Sequence, residues 1–246
     1  MTSCRLDEFF DVGEGEETRA KREDLTLLFY VGADVHGLVD GQTALTKAVL
    51  ATNLEAVKIL VETRAGLGTR SSDGNSTLHI SGIAFEIAEF LVSCGKDMNV
   101  ENREGYQPLL VAAQDNQTDL IGLYLQHGAA INAADEEGDT ALHVAAMTDH
   151  RDAAQLLLDR GANCNVTNKS GWTPLLCTVI PYGDAPTDYK DVAELLISCG
   201  VNVNPATLAD NGGTSIFYEA ALYRSADVLE LLLKNRADLH VTDNRR

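Results

Sequence analysis

Two histidines, His79 and His143, are the first candidates for chemistry, because neutral imidazole is a common metal ligand. Both stand in one recurring motif, Thr77-Leu78-His79 and Thr140-Ala141-Leu142-His143. These copies are two repeats apart, so at about 10 Å for each layer of packed helices the two rings would lie roughly 20 Å apart. No single ion can join them. We expect both histidines to hydrogen-bond to loop backbone and predict no metal site.

Cysteine and carboxylate side chains offer two other kinds of chemistry. Cys177 and Cys199 are possible nucleophiles, but neither has a paired histidine or a glycine loop for an oxyanion. Glu136, Glu137 and Asp139 resemble a general acid and base, yet they fall in a predicted hairpin exposed to water, where burial cannot shift a pKa. We therefore predict that the chain is not an enzyme, with no catalytic residue, no cofactor and no small-molecule substrate.

The cysteine count bears on the compartment. The sequence has five cysteines and no C-x-x-C pair, which argues against a disulfide framework. Unpaired cysteines are typical of reducing compartments, so we expect an intracellular protein, cytoplasmic, nuclear or both. Each cysteine is expected to be a small buried apolar residue, and the shared position of Cys94 and Cys199 at a helix end favours a packing role.

The charge balance excludes two classes of partner. Lys and Arg number 19 against 37 Asp and Glu, which gives a net charge of −18. Phosphate binding requires clustered basic residues, so neither nucleic acid nor an anionic membrane surface is expected as a partner. No stretch approaches the roughly 20 apolar residues that cross a bilayer, and no secretory signal is visible.

The elements that carry these side chains repeat along the chain. Glycines that precede a short Thr- or Pro-containing motif recur at spacings of 33, 31, 33, 33 and 41 residues, at Gly41, Gly74, Gly105, Gly138, Gly171 and Gly212. A second motif keeps step with the first, as in His127-Gly128-Ala129-Ala130-Ile131-Asn132 and Arg160-Gly161-Ala162-Asn163-Cys164-Asn165. Thr140 and Thr173 suit helix N-caps, Pro174 suits the first helical position, and Gly161 suits a helix end.

These motifs resemble the ankyrin repeat, whose period is 33 and whose signatures are T-P-L-H-x-A and G-A-D-V-N. The resemblance covers the chain from about Asp24 onward and implies an all-α solenoid of helix-turn-helix-hairpin units. We expect one domain over 1–246, with a degenerate N-terminal cap at 1–37. About six full repeats follow, at 38–70, 71–101, 102–134, 135–167, 168–206 and 207–243. The copy at 71–101 is two residues short, and the copy at 168–206 has an extra loop at 181–186.

Two arginines break the pattern at helix ends. Arg64 and Arg236 stand where other copies have glycine, and a left-handed residue other than glycine costs about 1 kcal/mol. We expect these joints to be weaker or differently turned.

The resemblance also implies a function, namely binding a partner protein through a concave face made of hairpin tips and the exposed ends of first helices. Carried over by position, the predicted partner-binding residues are Glu104, Tyr106, Asp115, Glu136, Glu137, Asp139, Met147, Lys169, Trp172 and Tyr182. The region 97–159 holds twelve acidic and two basic residues, which favours a basic partner segment, although an acidic surface can serve solubility alone. A scaffold or adaptor is the leading interpretation. The alternative is a regulatory ankyrin segment of a larger multidomain protein.

The resemblance suggests one modification. In this family, asparagines that close the G-A-D-V-N motif can be hydroxylated, with a preference for leucine eight residues earlier. Asn99, Asn165 and Asn204 meet that spacing, with Leu91, Leu157 and Leu196 before them. The alternative is that they are hairpin asparagines held by hydrogen bonds.

Overall fold

The computed structural model describes residues 42–62, 68, 70–180, 189–204 and 215–238. The chain forms two compact units, Met1–Arg103 and Glu104–Arg246. Over the described ranges the protein is all-α, and its pairing of extended backbone includes the isolated bridge between Ala134 and Thr140. The all-α repeat fold expected from the sequence is confirmed. The cap at 1–37, Arg64 and the loop 181–186 with Tyr182 lie outside the described residues.

The first unit contains three α-helices and one short 3-10 helix in its described part. These are α1 (Ala44–Leu50), α2 (Leu54–Glu62), the 3-10 helix Thr77–His79 and α3 (Phe85–Ser93). Helix α1 packs against α2 and the 3-10 helix, and α2 packs against α3. First helices thus stack on first helices, and second helices on second helices.

The second unit repeats that arrangement over four helix pairs. The helices are α4 (Pro108–Gln114), α5 (Thr118–Gln126), α6 (Ala141–Met147), α7 (Arg151–Asp159), α8 (Pro174–Cys177), α9 (Lys190–Ser198), α10 (Ile216–Leu222) and α11 (Ala226–Lys234). Helix α6 packs between α4 and α8, and α7 packs between α5 and α9. Each unit of sequence therefore buries its apolar faces against the next, as expected for a solenoid.

Helix starts follow the predicted chemistry. The Thr173 hydroxyl accepts the N–H of Leu176 at 3.2 Å, and Pro174 occupies the first turn of α8, where a missing N–H costs nothing. At α6, the N–H of Thr140 donates to Nδ1 of His143 at 3.2 Å. Threonine and histidine of the recurring motif thus act together to satisfy the start of a helix.

Helix ends use left-handed residues, and here one expectation was wrong. Gly161 ends α7 with φ of 89°, and the N–H of Ala162 returns to Leu157 O. Arg236 ends α11 in the same way with φ of 61°, and Ala237 N–H returns to Leu232 O. The Arg236 turn is therefore not differently made. The backbone bonds and the burial of α11 impose the left-handed conformation on a residue that disfavours it.

The connection between the two helices of a repeat varies in length. From the N-cap of the first helix to the start of the second, the distance along the sequence is 11 residues for Thr43 to Leu54, and also for Thr140 to Arg151. It falls to 9 from Ser76 to Phe85. The two missing residues remove a turn, so this copy has a 3-10 helix where the others have an α-helix. From Thr173 to Lys190 it rises to 17, in agreement with the predicted insertion.

The core is a line of leucines with one exception. The seventh residue of every second helix is fully buried, and in five of the six it is leucine: Leu60, Leu91, Leu157, Leu196 and Leu232. In α5 it is Tyr124, whose hydroxyl has no hydrogen-bond partner among the described residues. Burial raises the pKa of the Tyr124 phenol far above its ordinary value. A buried hydroxyl without a partner costs about 1–3 kcal/mol.

Replacing Tyr124 by phenylalanine is therefore expected to stabilise the second unit by about 1 kcal/mol, because the ring stays and the unsatisfied hydroxyl is removed. The free energy of unfolding in urea measures this. Tyr124→Leu is the control, because it also removes the hydroxyl but leaves a void, so it should be less stable than Tyr124→Phe. A loss of stability in Tyr124→Phe would show that the hydroxyl is bonded in solution.

Candidate partner-binding surface

The hairpins of the second unit are joined edge to edge by backbone hydrogen bonds. The N–H of Glu136 donates to Glu104 O at 3.2 Å, and the N–H of Lys169 donates to Glu137 O at 2.9 Å. Gly105 is buried at the first of these contacts, with φ of 76°, and a Cβ there would lie 2.6 Å from the Glu136 nitrogen. The recurring glycine is thus needed both for its conformation and for the close approach of the next hairpin.

A cavity of about 280 Å³ lies between two of these hairpins and the first helices beside them. Its acidic lining residues are Glu104, Asp135, Glu136, Glu137 and Asp139. Its other lining residues are Tyr106, Gln114, Val144, Met147 and Thr148. The cavity therefore has an anionic part from the hairpins and an apolar part from Tyr106 and helix α6.

Six of the predicted partner-binding residues line this cavity: Glu104, Tyr106, Glu136, Glu137, Asp139 and Met147. Asp115, the C-cap of α4, and the half-buried Trp172 and exposed Lys169 of the next hairpin are not among its lining residues. Sequence reasoning missed Asp135 and Val144 as lining residues. The available signal for Asp135 is its position, 33 residues after Asn102 and 33 before Asn168.

Asp135 organises the hairpin that carries the acidic residues. Its Oδ1 accepts the N–H groups of Glu137 at 2.9 Å and of Asp139 at 2.8 Å. Aspartate side chains stabilise tight turns in this way. The four carboxylates between 135 and 139 are therefore fixed close together by the turn itself.

The residue type at position 135 also explains why a cavity opens there. The Asn168 amide donates to Asp139 Oδ1 at 2.7 Å and joins its hairpin to the preceding one. In the first unit, the Asn102 amide donates to Asn75 Oδ1 at 2.8 Å in the same positions. Asp135 has no amide N–H to donate, and Tyr106 occupies the opposing position. The amide bridge is therefore missing between these two hairpins.

The expectation that these carboxylates are simply solvated was wrong for Asp139. Burial raises the pKa of Asp139, the hydrogen bond from Asn168 lowers it, and the charges of Asp135 and Glu137 raise it further. The hairpin lies against α6, so part of the Asp139 side chain is removed from water. Glu136 and Glu137 are exposed as expected.

The raised pKa of Asp139 predicts a pH-dependent stability. The folded protein binds this proton more tightly than the unfolded chain, so stability falls as the pH rises from 3.8, the ordinary value, through the raised pKa. Asp139→Asn keeps an oxygen to accept the Asn168 amide and removes the charge. We expect it to raise the unfolding free energy at pH 7 by up to about 1 kcal/mol, since the group is partly solvated.

Urea unfolding across pH tests this, and the gain should shrink as the pH is lowered toward 3.8. Asp119→Asn, on the exposed face of α5, is the matched control, with an expected change within about 0.5 kcal/mol at each pH. A pH-independent gain in Asp139→Asn would contradict the electrostatic explanation.

The histidines have the structural role that the sequence indicates. His143 Nδ1 accepts the Thr140 N–H, so Nε2 carries the proton and donates to Trp172 O at 3.0 Å. Burial lowers the pKa of His143, which favours this neutral form. His79 Nδ1 accepts the Ser76 N–H at 3.1 Å in the first unit. Over the described ranges, no group of three or more His, Cys, Asp or Glu residues is arranged to hold a metal ion.

The cysteines differ from expectation. Cys177 is fully buried, and burial raises its pKa well above the ordinary value, so it lacks the thiolate character of a nucleophile. Cys94 and Cys199 are exposed rather than buried. They are the C-caps of α3 and α9, where the side chain projects past the last packed turn, so the predicted packing role was wrong for both.

The three asparagines proposed for hydroxylation are all exposed, and two of them accept a hydrogen bond from the next repeat. Asn165 Oδ1 accepts the Asn202 N–H at 3.0 Å, and Asn204 Oδ1 accepts the Asp238 N–H at 2.7 Å. Asn132 does the same for the Asn163 N–H at 2.9 Å. Asn99 accepts no such printed bond, but its own N–H donates to Asp97 Oδ1 at 2.8 Å. Hydroxylation of these residues stays a prediction.

Comparison with known proteins identifies the family. The profile described as "Ankyrin repeats (3 copies)" matches residues 81–168 and 161–243, together more than half of the chain. Protein phosphatase 1 regulatory subunit 27 of Mus musculus is 38% identical over 86 residues, 34% of this chain and 55% of that protein. The Homo sapiens protein of that name is 41% identical over 70 residues, 28% and 46% respectively.

RelA-associated inhibitor of Mus musculus is 33% identical over 89 residues, 35% of this chain and 11% of that protein. The aligned stretches thus span between about a tenth and half of these relatives. The longest helices in the described ranges have nine residues, and none of them can cross a membrane. The paired helices, the glycine-ended turns and the matched profile agree, and the chain belongs to the ankyrin-repeat family.

Proposed function

We propose that this chain is a protein-interaction scaffold or adaptor that binds a basic segment of a partner protein. The observation that carries the proposal is the anionic cavity, in which six residues chosen from the repeat pattern meet. Potentials of opposite sign favour association, and exposed carboxylates on a rigid hairpin attract a cationic segment. Asp115, Lys169 and Trp172 are proposed as flanking contacts, and Tyr182 as a contact from the inserted loop.

The relatives support a role in protein partnership rather than catalysis. One is named as a regulatory subunit of a phosphatase and another as an inhibitor associated with RelA, so related arrays belong to proteins that act on other proteins. We propose that this chain is likewise not an enzyme, and that neither nucleic acid nor a membrane is its partner. The unpaired Cys94, Cys164, Cys177 and Cys199 support an intracellular location, in the cytoplasm, the nucleus or both.

A second candidate is a regulatory ankyrin segment of a larger multidomain protein. It is favoured by the share of the relatives that aligns, 11% for RelA-associated inhibitor and 4% for a Caenorhabditis elegans protein named for ankyrin repeats and a KH domain. Determining the full-length transcript separates the two candidates. Additional coding sequence for another domain supports the second, and an open reading frame of this length supports the first.

Charge reversal tests the proposed function. Once a partner is identified by affinity capture from the native cell, the Glu136→Lys and Glu137→Lys double variant is expected to slow association and to weaken its dependence on salt. Both side chains are exposed, so the fold should persist. Stopped-flow or biosensor kinetics measures the rate. Unchanged kinetics in this variant would show that the hairpin does not face the partner.

A further inference from the structure

The cavity between the hairpins combines two requirements for its occupant. Five of its ten lining residues are acidic, and none is Lys, Arg or His. Tyr106, Val144 and Met147 form an apolar wall beside them. An occupant that satisfies both parts carries a positive charge at the end of an apolar stem, which is the composition of a lysine or arginine side chain.

The backbone keeps the negative charges together. Because Asp135 Oδ1 holds the N–H groups of Glu137 and Asp139, the hairpin cannot relax to separate its carboxylates. Burial raises the pKa of Asp139, and the neighbouring charges of Asp135 and Glu137 raise it further. A cation that enters this cavity relieves that repulsion, so the site is complementary to positive charge before any partner arrives.

Size and surroundings favour arginine over lysine. The volume of about 280 Å³ lies below the roughly 300–1,000 Å³ of small-molecule sites and suits one extended side chain. A guanidinium is planar, weakly hydrated and able to stack on an aromatic ring while donating two parallel bonds to a carboxylate. A lysine ammonium would have to give up a tightly held hydration shell against the wall formed by Tyr106 and Met147.

We propose that this cavity receives one arginine side chain of the partner protein, with its stem along Val144 and Met147 and its guanidinium between Tyr106 and the hairpin carboxylates. This inference rests on the proposed function and adds the identity of the anchoring side chain. In the neighbouring hairpins the tip residues equivalent to Glu136 are basic, Arg103 and Lys169. The reversal of charge at this one tip sets the cavity apart from its neighbours.

The test is a titration followed on methionine methyl groups. The chain has three methionines, so protein labelled with ¹³C at the methionine methyls gives a simple spectrum in which Met147 reports on the cavity and the buried Met98 of the first unit is an internal control. The probes are blocked pentapeptides of Gly and Ser around one central Arg, Lys or citrulline, the last being an uncharged isostere of arginine. The arginine peptide is expected to shift the Met147 signal saturably and to leave Met98 in place.

Two variants give the matched comparison. Glu136→Gln with Glu137→Gln removes two carboxylates without changing side-chain size, and should weaken the arginine peptide by about fivefold, as for exposed ion pairs. Glu194→Gln, exposed on α9 away from the lining residues, should leave the affinity unchanged. The lysine peptide should bind less tightly than the arginine peptide, and citrulline should show no saturable shift.

Each contrary result overturns a stated part of the inference. Equal shifts with arginine and citrulline would remove the role of charge, equal affinity for lysine would remove the selectivity, and free arginine binding as tightly as the peptide would remove the protein source. No Met147 shift with any peptide overturns the cavity as the site, even where a captured partner still binds and the proposed function stands. Failure of every captured protein to bind purified chain would overturn the proposed function instead.

Discussion

Replacing Gly105 by alanine is expected to destabilise the second unit by about 3 kcal/mol, the combined cost of a left-handed alanine and of a backbone clash. Gly105 has φ of 76°, and its new Cβ would lie 2.6 Å from the Glu136 nitrogen and 3.1 Å from the Asp135 carbonyl carbon. Those atoms belong to the next hairpin, so the clash cannot be relieved by rotating a side chain. The hairpins would have to separate and lose the bond from Glu136 N–H to Glu104 O.

Gly161→Ala provides the matched control for this prediction. Gly161 has φ of 89°, but nothing lies within 4 Å of the position where a Cβ would be added. It should therefore cost only the left-handed conformation, about 1 kcal/mol. Urea unfolding followed by Trp172 fluorescence gives both values. Equal losses in the two variants would show that the close approach of neighbouring hairpins contributes nothing to stability.

Replacing Trp172 by alanine is expected to weaken partner binding by about 2 kcal/mol or more, a roughly 30-fold rise in Kd. Trp172 is the only tryptophan and remains half-buried. Its backbone is held on both sides, because its N–H donates to Asn168 Oδ1 at 2.9 Å and its carbonyl accepts from the Asn168 N–H. These bonds survive the substitution, so the loss should come from the ring and appear mainly as faster dissociation.

Tyr218→Ala is the control for Trp172→Ala, since Tyr218 is an exposed aromatic residue of α10 outside the proposed surface. Its removal should leave affinity unchanged. Circular dichroism of both variants should match that of the unaltered chain. If Trp172→Ala binds as tightly as the original, the contact surface lies elsewhere, and the insertion at 181–186 becomes the next segment to replace.

Regular features of the repeat were predictable from sequence because they depend on one residue type at one position. Thr173 caps a helix, Pro174 begins it, and Gly161 ends another, as the motif indicates. The grouping of Tyr106 with Met147 also followed from the period, since residues at equivalent positions of adjacent repeats must be neighbours. Local rules and a fixed spacing were sufficient for these features.

Other features depend on neighbours that no local pattern contains. The 3-10 helix Thr77–His79 results from a deletion whose structural effect is set by where α3 must begin. Arg236 adopts the glycine conformation because packing of α11 outweighs its own preference. The pKa of Asp139 is raised chiefly by burial, so it depends on how closely the hairpin lies against α6. Each of these outcomes is a balance of tertiary energies.

The asparagine bonds between repeats have a consequence for how such an array can evolve. Asn132, Asn165 and Asn204 each hold a main-chain N–H of the following repeat, at Asn163, Asn202 and Asp238. Every residue except proline offers that group, so the bond makes almost no demand on the sequence that follows. Whole repeats can therefore be duplicated, lost or exchanged without breaking this joint, while the exposed hairpin side chains diverge to suit new partners.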